Sequence, residues 1–178
     1  MAVRTYSMQK DGEKLLSPHF KVKEFRCKDG SDKIRIESNL IPVPEKVYDH
    51  FGASSITITS GYRTQAHDKK VGGKGSGNHC DGKAVDFVVY KGKDRIPSGK
   101  VALYLEDIGV TGIGYRCGGG TYATHMDVGY RTWAKRWYTA CAIQTQHYRL
   151  PAAFPLQPSH TVSDTPQRTP QHAFTPML

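Results

Sequence analysis

The 178-residue sequence predicts a single α+β domain, in which helices pack beside a small antiparallel sheet. Three observations support this fold class. Ile56–Thr59 alternates apolar and polar side chains, which is typical of a half-buried strand. Lys83–Tyr90 is β-branched and largely apolar on both faces, as expected of a central strand. Gly112–Arg116 and Tyr122–Gly129 flank a triple glycine and are typical of a hairpin.

Helical segments separate the predicted strands. One helix is expected to begin at Pro42 or Pro44, because proline is tolerated in a first turn. A second spans Thr64–Val71 and is ended by the two glycines that follow it. A third, Ser98–Ile108, collects apolar residues on one face. Arg131–Tyr138 is expected to add a closing helical turn.

Composition divides the chain into three parts. Residues 1–14 are polar and are expected to form a loose lead-in. Residues 15–138 carry the predicted elements and are long enough for one hydrophobic core, but not for two domains. No glycine follows Gly129, and six of the ten prolines lie at or after Pro151. Residues 139–178 are therefore expected to form a flexible tail.

The formal net charge of +9 predicts attraction to polyanions. Anionic cell-wall polymers are candidate partners, whereas nucleic acid is not expected, because the lysines and arginines are scattered rather than aligned on one helix. A solvated basic surface would explain the charge equally well. No apolar run is long enough for a membrane span, and residues 1–14 lack the apolar stretch of a secretory signal.

The four cysteines are Cys27, Cys80, Cys117 and Cys141. They contain no CxxC pair, so a thiolate zinc site is not expected. Since no export signal is visible, we expect reduced, structural thiols.

Two histidines and an aspartate are the candidate metal ligands. His79 closes a glycine-rich loop whose backbone can bend to aim its ring. Asp86 lies in an apolar strand, where an ionised carboxylate is costly to bury without a cation or metal; a salt bridge is the alternative. His125 and Asp127, two apart on a strand, project to one side. We expect His79, Asp86 and His125 to bind a catalytic zinc, because three protein ligands leave a fourth position for water.

Several motifs stand in a fixed order along the chain: Ser-Gly-Tyr-Arg-Thr at residues 60–64, Gly-Gly at 72–73, His79 with Asp86, and His-Met-Asp-Val-Gly at 125–129. With these motifs the sequence resembles the zinc D-Ala-D-Ala carboxypeptidases of peptidase family M15, which include peptidoglycan-cleaving phage endolysins. The resemblance covers most of the predicted domain.

The resemblance implies a hedgehog or DD-peptidase-like fold and a Zn²⁺ cofactor. It implies hydrolysis of stem or cross-link peptides of peptidoglycan, by either a carboxypeptidase or an endopeptidase such as a phage lysin. We expect a monomer that is synthesised in the cytoplasm and acts at the cell wall.

Two further residues are expected to be catalytic. Arg63 comes just after the predicted strand Ile56–Thr59 and is the candidate to stabilise an oxyanion, a role that the resemblance also implies. Many relatives carry an acidic general base three residues before the last histidine, where this chain has Tyr122. Asp127 is the nearest alternative base. It would otherwise orient His125 or bind the amine of the substrate.

Two other functions are alternatives to hydrolysis. A non-catalytic module of the same fold, which binds cell-wall peptide or a protein, would explain the missing carboxylate at position 122. A nucleic-acid-binding protein would explain the charge, but it leaves the spaced histidines and aspartates unexplained.

Overall fold

The computed structural model describes three stretches of the chain: residues 2–116, 123–128 and 135–139. For residue 116 and residues 135–139 only the backbone is described. The predicted hairpin turn at 118–120, position 122 and the predicted tail beyond residue 139 lie outside the described residues. The described part is a mixed α+β structure, as the fold class predicted.

The described strands are β1 (Val3–Ser7), β2 (Lys33–Glu37), β3 (Ser55–Ser60), β4 (Ala84–Lys91), β5 (Asp94–Arg95), β6 (Gly112–Arg116), β7 (Thr124–Asp127) and β8 (Lys135–Thr139). The described α-helices are α1 (Met8–Asp11), α2 (Pro42–Phe51), α3 (Gln65–Lys70) and α4 (Ser98–Asp107). The predicted helices at α2, α3 and α4 are confirmed to within one or two residues.

Proline and threonine mark where two of these helices begin. Pro42 occupies the first turn of α2, which ends at Gly52 with a left-handed φ of 54°. The Thr64 side chain caps α3 by accepting a hydrogen bond from the backbone N–H of His67 at 3.1 Å. Among the described residues, none of the helices is long and apolar enough to cross a membrane.

The main sheet has the strand order β3-β4-β7-β6-β8, and β5 pairs with β4. Neighbouring strands are antiparallel, except that β8 runs parallel to β6. Because β3 and β7 lie on either side of β4, the prediction that Lys83–Tyr90 forms a central strand is confirmed.

The predicted helical turn over Arg131–Tyr138 is wrong in its second half. Lys135–Thr139 forms β8, paired with β6 from Gly112 opposite Lys135 to Arg116 opposite Thr139. Pairing satisfies the backbone groups at the edge of β6, which a helical turn would leave unpaired.

The prediction of a loose lead-in at residues 1–14 is also wrong. β1 pairs with β2 in a separate two-stranded antiparallel sheet. Ser7 caps α1 by accepting a hydrogen bond from Lys10 N at 3.1 Å. The Asp32 carboxylate accepts hydrogen bonds from Ser7 Oγ at 2.9 Å and Gln9 N at 2.8 Å. The polar residues that suggested looseness make these local bonds instead.

The hydrophobic core lies against one face of the main sheet. Its members from β4, β6 and β7 are at most 2% exposed: Val85, Phe87, Val89, Ile113 and Met126. Helices α2 and α4 contribute Val47, Val101 and Leu105 to the same core. The opposite face of β4 is therefore the one that carries Asp86.

Candidate metal centre

Asp86 projects from the sheet face that is opposite to the core. Its neighbours along β4, Val85 and Phe87, are 0% exposed and belong to the core. Because side chains alternate along a strand, Asp86 points the other way, beside the buried Ala84 and Val88. A carboxylate on this mostly apolar surface needs polar partners.

The register of the sheet supplies the first of these partners. Asp86 is directly opposite His125 on β7, and directly opposite residues have Cβ atoms about 5 Å apart. On the other side Ser60 is paired with Asp86, after a register shift that follows Ile58. Gly114 of β6 is opposite His125, where it offers no side chain to compete for space.

His79 reaches the site from the loop between α3 and β4. Its Nδ1 lies 2.8 Å from the carbonyl oxygen of Gly61. Because a carbonyl only accepts hydrogen bonds, Nδ1 carries a proton, which leaves Nε2 as the nitrogen available to a metal ion. Nε2 lies 3.5 Å from Asp86 Oδ1. Gly61 therefore aims Nε2 of His79 at Asp86.

His125 presents its Nδ1 to the same oxygen of Asp86, at 2.6 Å. Its Nε2 lies 3.7 Å from Asp127 Oδ2, so the ring is held between two carboxylates. The ring centroids of His79 and His125 are 5.1 Å apart. One ligand atom from each of His79, Asp86 and His125 lies within 4.8 Å of the others. The three predicted ligands are therefore brought together in one cluster.

This cluster could hold a metal ion. Two imidazole nitrogens and a carboxylate oxygen are typical of catalytic zinc sites, which leave a fourth position open. The other nitrogen of each ring already faces an oxygen, of Gly61 for His79 and of Asp127 for His125. Metal-binding histidines commonly have such partners, because these fix the tautomer and the ring orientation.

Arg63 makes the salt bridge that was the alternative expectation for Asp86. Its Nη2 lies 3.0 Å from Asp86 Oδ2, the oxygen that does not face the histidines. Its Nε donates to Ser60 Oγ at 2.9 Å, and its Nη1 pairs with Asp68 Oδ1 at 3.1 Å. Asp86 thus uses one oxygen for Arg63 and the other for the histidine pair, so the two expectations are compatible.

Asp127 lies behind His125 and is 1% exposed. Its carboxylate contacts Nε2, the ring nitrogen that points away from Asp86. Gly112 is directly opposite Asp127 on β6, and a methyl group at Gly112 would overlap the Asp127 carboxylate. The glycine therefore provides the space that this carboxylate occupies.

The cluster shifts the pKa values of two of its members in opposite directions. Burial disfavours ionised Asp86, but the hydrogen bonds from His125 and His79 outweigh it and hold the pKa of Asp86 well below its usual range. Burial also disfavours charged His125, but its interactions with Asp127 and Asp86 outweigh it and raise the pKa of His125. A cation at the cluster would compete with this proton.

Three contributors to the site were not predicted from the sequence. Asp68 contacts Arg63, the carbonyl of Gly61 orients His79, and Gly112 makes room for Asp127. A carbonyl and an absent side chain leave no specific signal in a sequence. The only available signal for Asp68 was an acidic residue in a short helix that leads into the glycine loop.

A cluster of two histidines and one aspartate that could hold a metal ion makes this chain a candidate metalloenzyme. A protein-family model, Peptidase M15, matches residues 17–127, a range that contains the three clustered residues. Because this match covers more than half of the sequence, the chain belongs to the peptidase M15 family. The family is one of metallopeptidases that act on peptidoglycan-type substrates. No curated protein and no solved structure matches the chain.

Proposed function

We propose that the protein is a zinc-dependent peptidase that hydrolyses stem or cross-link peptides of peptidoglycan, at bonds that involve D-alanine. The observation that carries this proposal is the cluster of His79, Asp86 and His125 in a chain of the peptidase M15 family. A hedgehog or DD-peptidase-like fold over residues 15–138 belongs to the same proposal.

His79, Asp86 and His125 would hold the ion. Zn²⁺ is proposed because it accepts mixed nitrogen and oxygen donors from three protein ligands. When bound, zinc supplies a Lewis acid that activates water and polarises the peptide carbonyl. The chain contributes the fixed geometry of the donors: Gly61 aims the ring of His79, and Asp127 supports the ring of His125.

Arg63 is proposed to supply positive charge to the reacting carbonyl. A guanidinium has five N–H donors, and three of them serve the contacts to Ser60, Asp68 and Asp86. Two donors remain for a substrate oxygen on which negative charge develops. The side chain is 21% exposed, so solvent reaches it.

Asp127 has three candidate roles: general base, partner of the substrate amine, and support for the ring of His125. A partner of the amine must be accessible to the substrate. A general base must reach the proton that it removes, directly or through water. An orienting residue needs only to hold the ring of His125. The 1% exposure of Asp127 and its position 3.7 Å from Nε2 favour the orienting role, which we propose.

We further propose that the protein acts as a monomer at the cell wall, after synthesis in the cytoplasm. Lys69 and Lys70 end the helix before the glycine loop, and Lys74 lies within the loop. All three are exposed, and none forms an ion pair within the described part of the chain. Three unpaired positive charges beside the site would attract anionic cell-wall polymers.

The test is digestion of purified peptidoglycan by the zinc-loaded protein, followed by mass spectrometry of the soluble products. Release of free D-alanine would identify a carboxypeptidase, and release of larger peptide fragments an endopeptidase. Chelation should abolish either activity, and added Zn²⁺ should restore it. Zinc-loaded protein that releases neither product would contradict the proposal.

The second candidate function is a non-catalytic binding module of the same fold. The burial of Asp127, the nearest candidate base, favours it. Zinc-loaded protein that sediments with peptidoglycan and releases no peptide would support this candidate and exclude the peptidase.

A further inference from the structure

Asp68 is a buried carboxylate beside the metal centre that is not one of the clustered ligands. It lies in α3 and is 5% exposed. Its Oδ1 pairs with Arg63 Nη1 at 3.1 Å, and its Oδ2 accepts a hydrogen bond from Gly75 N at 2.9 Å. A buried carboxylate is costly unless such partners compensate for its lost hydration.

The glycine loop is shaped around this carboxylate. A methyl group at Gly73 would overlap the Asp68 side chain, and Gly75 has a left-handed φ of 74°. The hydrogen bond from Gly75 N therefore ties Asp68 to the loop that ends at His79. One carboxylate thus contacts both the loop and the arginine of the site.

Arg63 links Asp68 to the metal centre. Its guanidinium lies between two carboxylates, with Nη1 on Asp68 and Nη2 on Oδ2 of Asp86. Counted as formal charges, one guanidinium between two carboxylates leaves about −1 on this triad. Without the Asp68 charge, Arg63 would neutralise Asp86, and the attraction of the centre for a cation would fall.

We infer that Asp68 is a positioning residue of the metal centre that acts through Arg63. Asp68 holds the guanidinium of Arg63 on Oδ2 of Asp86 and balances the charge of that guanidinium. Asp86 therefore keeps Oδ1 and its negative charge for a divalent cation. This inference rests on the proposed metal-dependent function.

The test is the metal affinity of Asp68→Asn, measured on metal-stripped protein by competition with a chromophoric chelator for Zn²⁺. Changing a residue that supports metal ligands typically weakens binding by about 10–100-fold, and we expect a loss in that range. The absorption spectrum of Co²⁺-loaded protein should also change, because it reports the geometry of the ligands. A purely structural role would instead lower the melting temperature of the metal-free protein and leave both readouts of the folded protein unchanged.

Glu45→Gln is the matched control. Glu45 is a partly buried carboxylate, and it pairs with His19 Nδ1 at 2.7 Å rather than with a residue of the metal centre. The substitution removes the same charge as Asp68→Asn but at a residue that does not contact the metal centre. The Zn²⁺ affinity of this variant should therefore equal that of the wild type.

A second variant covers the case in which Asp68→Asn does not fold. Ser60→Ala removes the acceptor of Arg63 Nε and should weaken Zn²⁺ binding in the same direction, by a smaller factor. Wild-type Zn²⁺ affinity in folded Asp68→Asn would overturn the inference. If only Ser60→Ala folds, wild-type Zn²⁺ affinity in that variant would overturn it. Wild-type protein that binds Zn²⁺ but cleaves no peptide would contradict the peptidase alone.

Discussion

Asp86 and His125 are direct partners on adjacent antiparallel strands, and His125 Nδ1 lies 2.6 Å from Asp86 Oδ1. The register of β4 and β7 therefore sets the spacing of two candidate ligands. A slip of one residue would turn Asp86 towards the core face, where Val85 and Phe87 now lie. The sheet thus provides a rigid base for the site, and His79 completes the cluster from a loop.

Substitution of His79 by alanine should abolish tight metal binding. The change removes one of three ligands, and we expect the Zn²⁺ affinity to fall by more than about 100-fold, beyond the usual effect of a supporting residue. Chelator competition measures this loss. His19→Ala is the control, because His19 pairs with Glu45 and stacks on Tyr48, away from the cluster. Unchanged affinity in His79→Ala would remove this residue from the ligand set.

Asp127→Asn separates the orienting role of Asp127 from that of a general base. If Asp127 orients His125, the Zn²⁺ affinity should fall by about 10-fold or more, because the ring loses its charged partner. If Asp127 is instead the general base, the affinity should remain and only the rate of peptide release at saturating zinc should fall. Chelator competition and a peptidoglycan digestion on the same preparation distinguish these outcomes.

Gly112→Ala should reproduce the defect of the Asp127 variant without changing a charged group. The added methyl group overlaps the Asp127 carboxylate and must displace it from His125. We expect weaker Zn²⁺ binding and a lower melting temperature. Gly99→Ala is the control, since a methyl group at this position in α4 meets no atom within 4 Å. That substitution should stabilise the protein by up to about 1 kcal/mol.

The acid sensitivity of the fold should depend in part on Glu45. Burial raises the pKa of this carboxyl, but the hydrogen bonds that it accepts, including two from His19, outweigh burial and lower its pKa below 4.5. Its contribution to the free energy of unfolding is therefore complete above about pH 4.5 and is lost as the pH falls through the lowered value. Glu45→Gln should be less stable than the wild type at pH 7 in urea unfolding, and the difference should shrink towards pH 3. A constant difference would contradict this assignment.

Replacement of Lys69, Lys70 and Lys74 by glutamine should weaken binding to anionic cell walls. At low ionic strength we expect about a 10-fold loss, and the loss should shrink with added salt, because exposed charges are screened. Sedimentation with walls before and after removal of their anionic polymers measures the effect. Glutamine at Lys10, Lys33 and Lys46, three exposed lysines on other elements, is the matched control. Equal losses in both variants would indicate a general charge effect instead of a local surface.

Local patterns accounted for much of the fold. Alternation at Ile56–Thr59 and the apolar run around Asp86 predicted β3 and β4, because burial on one or both faces of a sheet leaves a direct pattern in the sequence. Pro42 and the glycines after α3 predicted helix boundaries for equally local reasons. The pairing of β1 with β2 and of β8 with β6 was missed, because strand pairing joins segments far apart in the chain.

The sequence by itself determined which residues are the candidate ligands: an aspartate that an apolar strand cannot bury alone, and two histidines in motifs that resemble those of peptidase family M15. Only the tertiary structure decided how they are connected. It placed Arg63 between Asp68 and Asp86, and it set Asp127 on the far nitrogen of His125. These contacts depend on strand register and on the path of a loop. Many weak interactions between distant segments set both, so no local sequence pattern predicts them.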